Sequence, residues 1–220
     1  MAESLKTTST GLRVARSELI LGGQRSGKSR RAELLAREWL AQSPQHQALM
    51  LATGQAYDEE MRERIRRHQA DRAERVPGML TLETPVALPA AIEAHSHVHT
   101  LLVVDCLTLW LTQLLMPYQP SPGPGHGWGD ANDPRFQPPA AALPSLDDPQ
   151  DPATLVHALQ RARGPVVLVS NEIGLGVIPL GREVRAFVDA LGRLNQEVAQ
   201  VCTRVTLMAA GLPLSLKEAA

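Results

Sequence analysis

Short apolar runs alternate with longer amphipathic stretches along most of the chain. The apolar runs predict buried strands, and the stretches between them repeat their apolar positions at the helical period. The predicted strands span 17–21, 48–52, 79–83, 101–105, 165–170, 204–208 and 212–216. The predicted helices span 30–40, 57–75, 85–94, 107–115 and 181–200. This alternation predicts an α/β fold, in which a mostly parallel sheet carries helices on both faces.

Two segments depart from the pattern. Residues 117–152 are dense in Pro, Gly, Asp and Ser and have too little apolar surface to offset the entropy of ordering them. They predict a mobile insertion; a linker between two domains is the weaker interpretation, because few strands follow. The polar residues 1–16 predict a flexible N-terminal extension. The remaining chain, 17–220, is then a single nucleotide-binding domain.

The segment Gly22-Gly-Gln-Arg-Ser-Gly-Lys-Ser29 fits the phosphate-binding pattern G-x-x-x-x-G-K-[ST] between a predicted strand and a predicted helix. Backbone N–H groups and the helix N-terminus favour phosphate there. Lys28 can reach the β- and γ-phosphates, and the Ser29 hydroxyl can join the shell of a Mg²⁺ ion. A chance match in a glycine-containing turn is the alternative. The nucleotide-binding residues predicted in this loop are Gly22, Gly23, Gln24, Arg25, Ser26, Gly27, Lys28 and Ser29.

Polar residues follow several predicted strands, at the edge where parallel sheets bind ligands. In P-loop enzymes an acidic residue at the end of a strand holds Mg²⁺ beside the serine or threonine hydroxyl of the phosphate-binding loop. Asp105 has that position, although it could instead cap the helix that follows. Thr53-Gly54 and Asn171-Glu172 predict either backbone bent around a ligand or ordinary turns. Glu83, which ends the third predicted strand, could likewise contact a ligand or lie in an ordinary turn.

His68 lies on the strongly charged predicted helix 57–75. It shares a helical face with Met61 and Ile65, so the residues alone favour a half-buried histidine beside the core. The functional alternative is a nucleophile that attacks phosphorus and forms a covalent intermediate. Charged neighbours could neutralise phosphate or orient the ring, or simply form a solvated face; they are Arg64, Asp71 and Arg72.

Composition narrows the class of protein. The net charge of −1 provides no general basic surface for nucleic acid. No apolar run approaches the length of a membrane span. The two cysteines have neither metal-ligand spacing nor a disulfide framework, which favours the cytoplasm.

Together the motifs resemble the bifunctional adenosylcobinamide kinase / adenosylcobinamide-phosphate guanylyltransferases. The resemblance is carried, in the family's order, by residues 22–29, 52–54, 58–68, 105–111, 170–179 and 190–196. The histidine helix and the Asn171-Glu172 block make it specific. It implies a RecA-like P-loop fold, a homotrimer, and small-molecule substrates: adenosylcobinamide, GTP and ATP.

The resemblance also implies two reactions. The chain would phosphorylate adenosylcobinamide with a nucleoside triphosphate, then transfer GMP from GTP through a guanylyl-histidine at His68, with Lys28 as the second catalytic residue. The products would be adenosylcobinamide-GDP and pyrophosphate. Ser29 and Asp105 would hold Mg²⁺. The further nucleotide contacts implied are Ala52, Thr53, Gly54, Gln69, Ala70, Asp71, Arg72, Glu83 and Asp105.

Two other functions stay open at this point. One is a P-loop kinase for another small molecule, in which His68 is structural. The other is a non-catalytic nucleotide-sensing module of RecA type, which would require a basic or apolar partner-binding stripe that the sequence does not show.

Overall fold

A computed structural model describes residues 12–55, 59–84, 86–116 and 152–218 of the chain. The strands are β1 Ser17–Gly22, β2 Gln47–Ala52, β3 Leu80–Glu83, β4 Thr100–Asp105, β5 Val166–Val169, β6 Arg204–Ala209 and β7 Leu212–Lys217. The helices are α1 Lys28–Gln42, α2 Glu59–Arg75, α3 Leu88–His95, α4 Leu107–Leu115, α5 Pro152–Arg161 and α6 Arg182–Val201, with a short 3₁₀ helix at Ile173–Leu175.

The seven strands form one sheet in the order β3-β2-β4-β5-β1-β6-β7. All neighbours are parallel except the last pair, in which β7 runs antiparallel to β6. One strand, β5, therefore separates the strand that leads into the glycine-rich loop from the strand that ends at Asp105. The predicted α/β fold with a mostly parallel sheet is confirmed.

The core has two layers because the side chains of each buried strand alternate between the faces of the sheet. On one face, Leu101 and Val103 of β4 pack in a cluster with α1. On the other face, Leu102 and Val104 pack in a larger cluster that α3, α4, α5 and α6 cover. Helices thus cover both faces of the sheet, and the strands read as nearly continuous apolar runs for this reason.

A buried carboxylate connects β1 to the neighbouring strand β6 and to the helix α1. Glu18 of β1 is fully buried and accepts hydrogen bonds from Arg31 Nε at 2.7 Å, Arg204 Nη1 at 3.2 Å and Thr206 Oγ1 at 2.9 Å. Arg31 lies in the first turn of α1, directly after the glycine-rich loop. The contact therefore fixes the start of that helix against the sheet.

Two predictions about helices need correction. The helix α5 was not predicted, although Pro152 at its first position and the buried Leu155, Ala158 and Leu159 are ordinary helix signals. The helical period of residues 181–200 puts Val184 on the apolar face of α6, but Val184 is 53% exposed, since the first turns of α6 extend beyond the core.

The predicted insertion and most of the predicted N-terminal extension lie outside the described residues, which omit 1–11 and 117–151. Within 12–16, Leu12 and Val14 pack against the α1 side of the core, and Arg16 Nη2 donates a hydrogen bond to the Gln160 carbonyl at 3.1 Å. In the part of the chain that is described, no helix combines the length and apolarity needed to cross a membrane.

Candidate active site

The glycine-rich loop needs glycine at its first position. Gly22 has a φ of +150°, and a Cβ there would lie 2.5 Å from the Met208 carbonyl oxygen and 2.6 Å from Ser26 Oγ. Gly27, with a φ of +100°, precedes the first residue of α1. Only glycine adopts these conformations without strain. The loop therefore turns directly from β1 into the N-terminus of α1, as phosphate binding requires.

Neighbouring segments hold this loop in place. The Gly211 N–H donates to the Ser26 carbonyl at 3.0 Å, and the Glu172 N–H donates to the Gly22 carbonyl at 3.2 Å. Ser26 Oγ is buried and has no hydrogen-bond partner among the residues that the structure describes. An unsatisfied buried hydroxyl in such a loop is suited to a ligand that supplies the missing partner.

Lys28 is almost completely buried, and its Nζ donates to the Gly23 carbonyl at 2.6 Å. Burial lowers the pKa of this ammonium, because the charged form loses hydration; the charges of Cys106 and Asp105 act in the opposite direction. The ammonium thus lies within the glycine-rich loop, held by a weak neutral partner that a phosphate oxygen can replace.

Ser29 and Asp105 meet at the carboxyl edge of the sheet. Ser29 Oγ donates to Asp105 Oδ2 at 2.9 Å, although the two residues are 76 positions apart. A hydroxyl and a carboxylate side by side are ligands that Mg²⁺ accepts, with waters and nucleotide oxygens completing its shell. Among the described residues, no group of three or more His, Cys, Asp or Glu side chains could hold a metal by itself.

Thr53 fixes the backbone that follows Asp105. Its Oγ1 donates to the Cys106 carbonyl at 2.7 Å and accepts from the Cys106 N–H at 2.9 Å, and all of these atoms are buried. In the sheet, Ala52 at the end of β2 pairs with Asp105 of β4 on one side and with Glu83 of β3 on the other. The structure therefore places Ala52, Thr53, Gly54 and Glu83 along the same edge as the glycine-rich loop.

The Asn171-Glu172 segment lies at the same edge, directly after β5, where the sequence predicts it. The Asn171 N–H donates to Thr108 Oγ1 at 2.9 Å, and Asn195 Nδ2 donates to the Asn171 carbonyl at 3.1 Å. Thr108 and Asn195 were missed by the sequence analysis. An asparagine within the apolar stripe of α6 was the available signal, because a buried amide needs a polar partner.

His68 is not joined to this edge. Its ring is exposed in the middle of α2, and no hydrogen bond or ion pair connects it to any described residue. The alternative of a half-buried histidine is therefore wrong. Asp71 pairs with Arg75 Nη2 at 3.1 Å rather than orienting the ring, and Arg72 Nη1 lies 3.4 Å from Thr81 Oγ1.

The polar contacts of α2 with the rest of the described chain come from its C-terminal end. Arg75 Nη1 donates to the buried Glu33 carboxylate at 2.8 Å, in addition to the contact of Arg72 with β3. Gln69 and Ala70, two further predicted nucleotide contacts, are exposed. The structure thus places the loop, Asp105, Thr53 and Glu83 along one edge of the sheet, and among the described residues no hydrogen bond or ion pair joins the side chains of 68–72 to these groups.

A groove of about 580 Å³ opens beside Glu172. One wall is the loop from Ile173 to Pro179, and the other is the part of α6 between Arg185 and Gln196. Arg185 Nη1 holds this loop by donating to the Pro179 carbonyl at 2.9 Å. Large apolar side chains on or next to the loop are exposed to solvent; they are Ile173, Leu175, Val177, Ile178 and Leu180.

Comparison with known proteins gives consistent matches. The family model for cobinamide kinase / cobinamide phosphate guanyltransferase matches residues 18–216. The bifunctional adenosylcobalamin biosynthesis protein CobP of Pseudomonas aeruginosa is 43% identical over 205 residues, covering 91% of this chain and 96% of that protein. The corresponding CobU proteins of Salmonella typhimurium and Escherichia coli are 35% and 33% identical, each covering 90% of this chain and 98% of the relative.

Proposed function

Because this chain belongs to the cobinamide kinase / cobinamide phosphate guanyltransferase family, we propose that it catalyses both reactions of that name. It phosphorylates adenosylcobinamide with a nucleoside triphosphate and then transfers GMP from GTP to the new phosphate. The observation that supports this most directly is the meeting of Ser29 with Asp105 beside the buried Lys28. These groups form a binding site for the phosphates of ATP or GTP.

The kinase step depends mainly on positioning and on neutralising charge. Backbone N–H groups of the glycine-rich loop and the N-terminus of α1 bind the phosphate oxygens. Lys28 exchanges the Gly23 carbonyl for oxygens of the β- and γ-phosphates and stabilises the negative charge that develops on the leaving diphosphate. Because Lys28 is almost buried, this interaction acts in a medium of low dielectric constant and is correspondingly strong.

Mg²⁺ would be held by Ser29 and Asp105, whose oxygens are 2.9 Å apart. When bound, the ion neutralises phosphate charge and keeps the triphosphate in a fixed orientation. Asp105 holds the Ser29 hydroxyl in place for this task, and the Thr53 contacts with Cys106 keep the Asp105 backbone in register with β2.

For guanylyl transfer, we propose that His68 is the nucleophile. An unprotonated imidazole nitrogen attacks the α-phosphorus of GTP, the bond to the β-phosphate oxygen breaks, and pyrophosphate leaves. An oxygen of adenosylcobinamide phosphate then displaces the histidine and yields adenosylcobinamide-GDP. Residues 69–72 and Glu83 contact the nucleotide in this step. Since the His68 ring faces solvent, the step requires α2 to approach the nucleotide or a neighbouring subunit to supply it.

Replacing His68 and Lys28 separates the two steps. With α-labelled GTP, His68→Ala should abolish covalent labelling of the protein yet retain phosphorylation of adenosylcobinamide, and Lys28→Ala should impair both. His157→Ala, which removes another exposed histidine, serves as the matched control and should label like the wild type. Undiminished labelling of His68→Ala would refute its nucleophilic role, and full kinase activity of Lys28→Ala would refute the role of the loop.

The exposed ring, which has no partner among the described residues, also favours a second candidate: a P-loop kinase of another small molecule in which His68 takes no part. The bifunctional enzyme forms a covalent guanylyl adduct, whereas the kinase of another small molecule does not. Its absence from wild-type protein, together with turnover of another hydroxyl substrate, would favour the second.

We further propose that the protein is a homotrimer that acts in the cytoplasm, where its nucleotide substrates are found, without a nucleic-acid partner. The exposed apolar residues of 173–180 support self-association, because contiguous apolar surface commonly marks an interface. Light scattering should give a mass three times the 23.9 kDa of one chain.

A further inference from the structure

The backbone of Glu172 is fixed between the glycine-rich loop, which it contacts, and the segment from Ile173 that lines the groove. Its N–H donates to the Gly22 carbonyl at 3.2 Å. The preceding residue, Asn171, is fixed by Thr108 of α4 at 2.9 Å and by Asn195 of α6 at 3.1 Å. Three separate elements thus determine the position of one short segment. Such convergence is what a side chain needs if it must act at a defined distance from a substrate.

The Glu172 side chain has no structural task in the described part of the chain. It is half-buried, yet it forms no ion pair and accepts no hydrogen bond from a described residue. Its Oε1 lies 3.5 Å from the position that a Cβ on Gly174 would occupy, and Gly174 lines the groove. The carboxylate therefore lies at the edge of the groove, on a residue whose backbone contacts the glycine-rich loop.

The other carboxylates of this edge are less suitable as proton acceptors. Asp105 already accepts from Ser29, the partner with which it would hold Mg²⁺. Glu83 ends β3, four strands away from β1 in the sheet, which is roughly 19 Å at the usual strand spacing. Glu172 follows β5, the direct neighbour of β1 and of β4.

From this geometry we propose that Glu172 is the general base of the kinase step; the proposal rests on the function given above. The acceptor approaches through the groove, and its hydroxyl donates a proton to a Glu172 carboxylate oxygen. The hydroxyl oxygen forms a bond to the γ-phosphorus as the bond from that phosphorus to the bridging oxygen breaks. The nucleoside diphosphate leaves, and Glu172 releases its proton to water.

The guanylyl step does not need this base. Its nucleophiles are an imidazole nitrogen and a phosphate oxygen that is already ionised at neutral pH, whereas an alcohol carries a proton that must be removed. Loss of Glu172 should consequently affect the two reactions of the same protein very unequally. A residue that only supports the shape of the loop would affect both, because both reactions use the same nucleotide-binding edge.

The test compares both reactions in Glu172→Gln. With ATP and adenosylcobinamide, kcat of the kinase step should fall about 100-fold, the lower limit for a general base, while KM for both substrates changes little. With GTP and chemically prepared adenosylcobinamide phosphate, GMP transfer should fall far less, so the ratio of the two rates shifts by about the same factor. Glu172→Asp should recover part of the kinase rate. Glu93→Gln, an exposed change on α3, is the control and should leave the ratio unchanged.

Three outcomes would overturn the proposal: an unchanged kinase rate in Glu172→Gln, an equal fall of both rates, or no recovery in Glu172→Asp when both variants melt like the wild type. Failure of the proposed function looks different. In that case wild-type protein would transfer no GMP to adenosylcobinamide phosphate and would phosphorylate no adenosylcobinamide, whatever residue stands at position 172.

Discussion

Adding one methyl group to the glycine-rich loop tests how firmly the fold holds it. In Gly22→Ala the new Cβ would lie 2.5 Å from the Met208 carbonyl oxygen and 2.6 Å from Ser26 Oγ, in a backbone conformation with a φ of +150°. The Met208 carbonyl belongs to the backbone of β6, the hydrogen-bonded neighbour of β1, so it cannot simply rotate away. Relief requires either separation of the two strands or a shift of the loop.

The expected loss of stability is the sum of two costs: the strained backbone of residue 22 and the steric overlap of its new Cβ. A residue held in a sparsely populated backbone region costs about 1–3 kcal/mol, and overpacking costs about the same. The free energy of unfolding should therefore fall by about 2–6 kcal/mol, which corresponds to a decrease in Tm of roughly 4–24 °C for a chain of this size. A shift of the loop would also displace the N–H groups that bind phosphate, so affinity for GTP should fall as well.

Gly23→Ala is the matched control. No atom lies within 4 Å of its Cβ position and its φ is not in the left-handed region, so the stability of the free protein should change by less than about 0.5 kcal/mol. Thermal unfolding of the two variants, followed by titration with a fluorescent GTP analogue, measures both effects. If Gly22→Ala melted and bound nucleotide like Gly23→Ala, the steric argument for the first glycine would be refuted.

Two further predictions concern buried ionisable groups. Glu18→Gln leaves Arg31 and Arg204 facing a neutral amide in a buried site, so urea denaturation should show a loss of about 3–5 kcal/mol; a loss below about 1 kcal/mol, as for a surface pair, would contradict this. Burial raises the pKa of the thiols of Cys106 and Cys202 from 9.0 to about 12. Below about pH 9 these thiols leave stability unchanged, but from pH 9 towards 12 only the unfolded chain loses their protons. The free energy of unfolding should then fall by up to about 1.4 kcal/mol per pH unit for each thiol, and a decline equally steep in a variant with alanine at both positions would contradict this assignment.

Much of the fold could be predicted because its elements have strong local signals. The helix 107–115 was predicted with the bounds that the structure shows. Pro89 falls inside the predicted helix 85–94, yet it lies in the first turn of α3, where proline is favoured. The inner strands β1, β4 and β5 were found because burial on both faces favours continuous apolar runs. The helix α5 was missed because it begins directly after a stretch rich in Pro, Gly and Asp, which obscured its own apolar spacing.

The site was harder to predict because it depends on strand order. Nothing local to Ser29 or Asp105 shows that β5 alone separates their strands, or that the two side chains meet at 2.9 Å. The prediction that Asp71 could orient the His68 ring also relied on local spacing, which does not show contacts made by other elements. Helical spacing places both His68 and Arg75 within its reach, and the choice of Arg75 depends on Glu33, which holds that arginine from another helix.

The two parts of the proposed site differ in how the fold holds them, and the two reactions explain why such a difference is useful. Both reactions bind a triphosphate at the same loop, so the loop, Ser29, Asp105 and Thr53 are fixed by short contacts, several of them buried. The reactions differ in the phosphorus that is attacked: the γ-phosphorus by an alcohol and the α-phosphorus by a histidine. A histidine fixed at the α-phosphorus would compete for GTP during the kinase step and form the guanylyl adduct before any acceptor phosphate existed. In the mechanism that we propose, the nucleotide binds first and the nucleophile engages afterwards. The position of His68 on an exposed helix, whose polar contacts with the rest of the described chain come from Arg72 and Arg75, is consistent with that order.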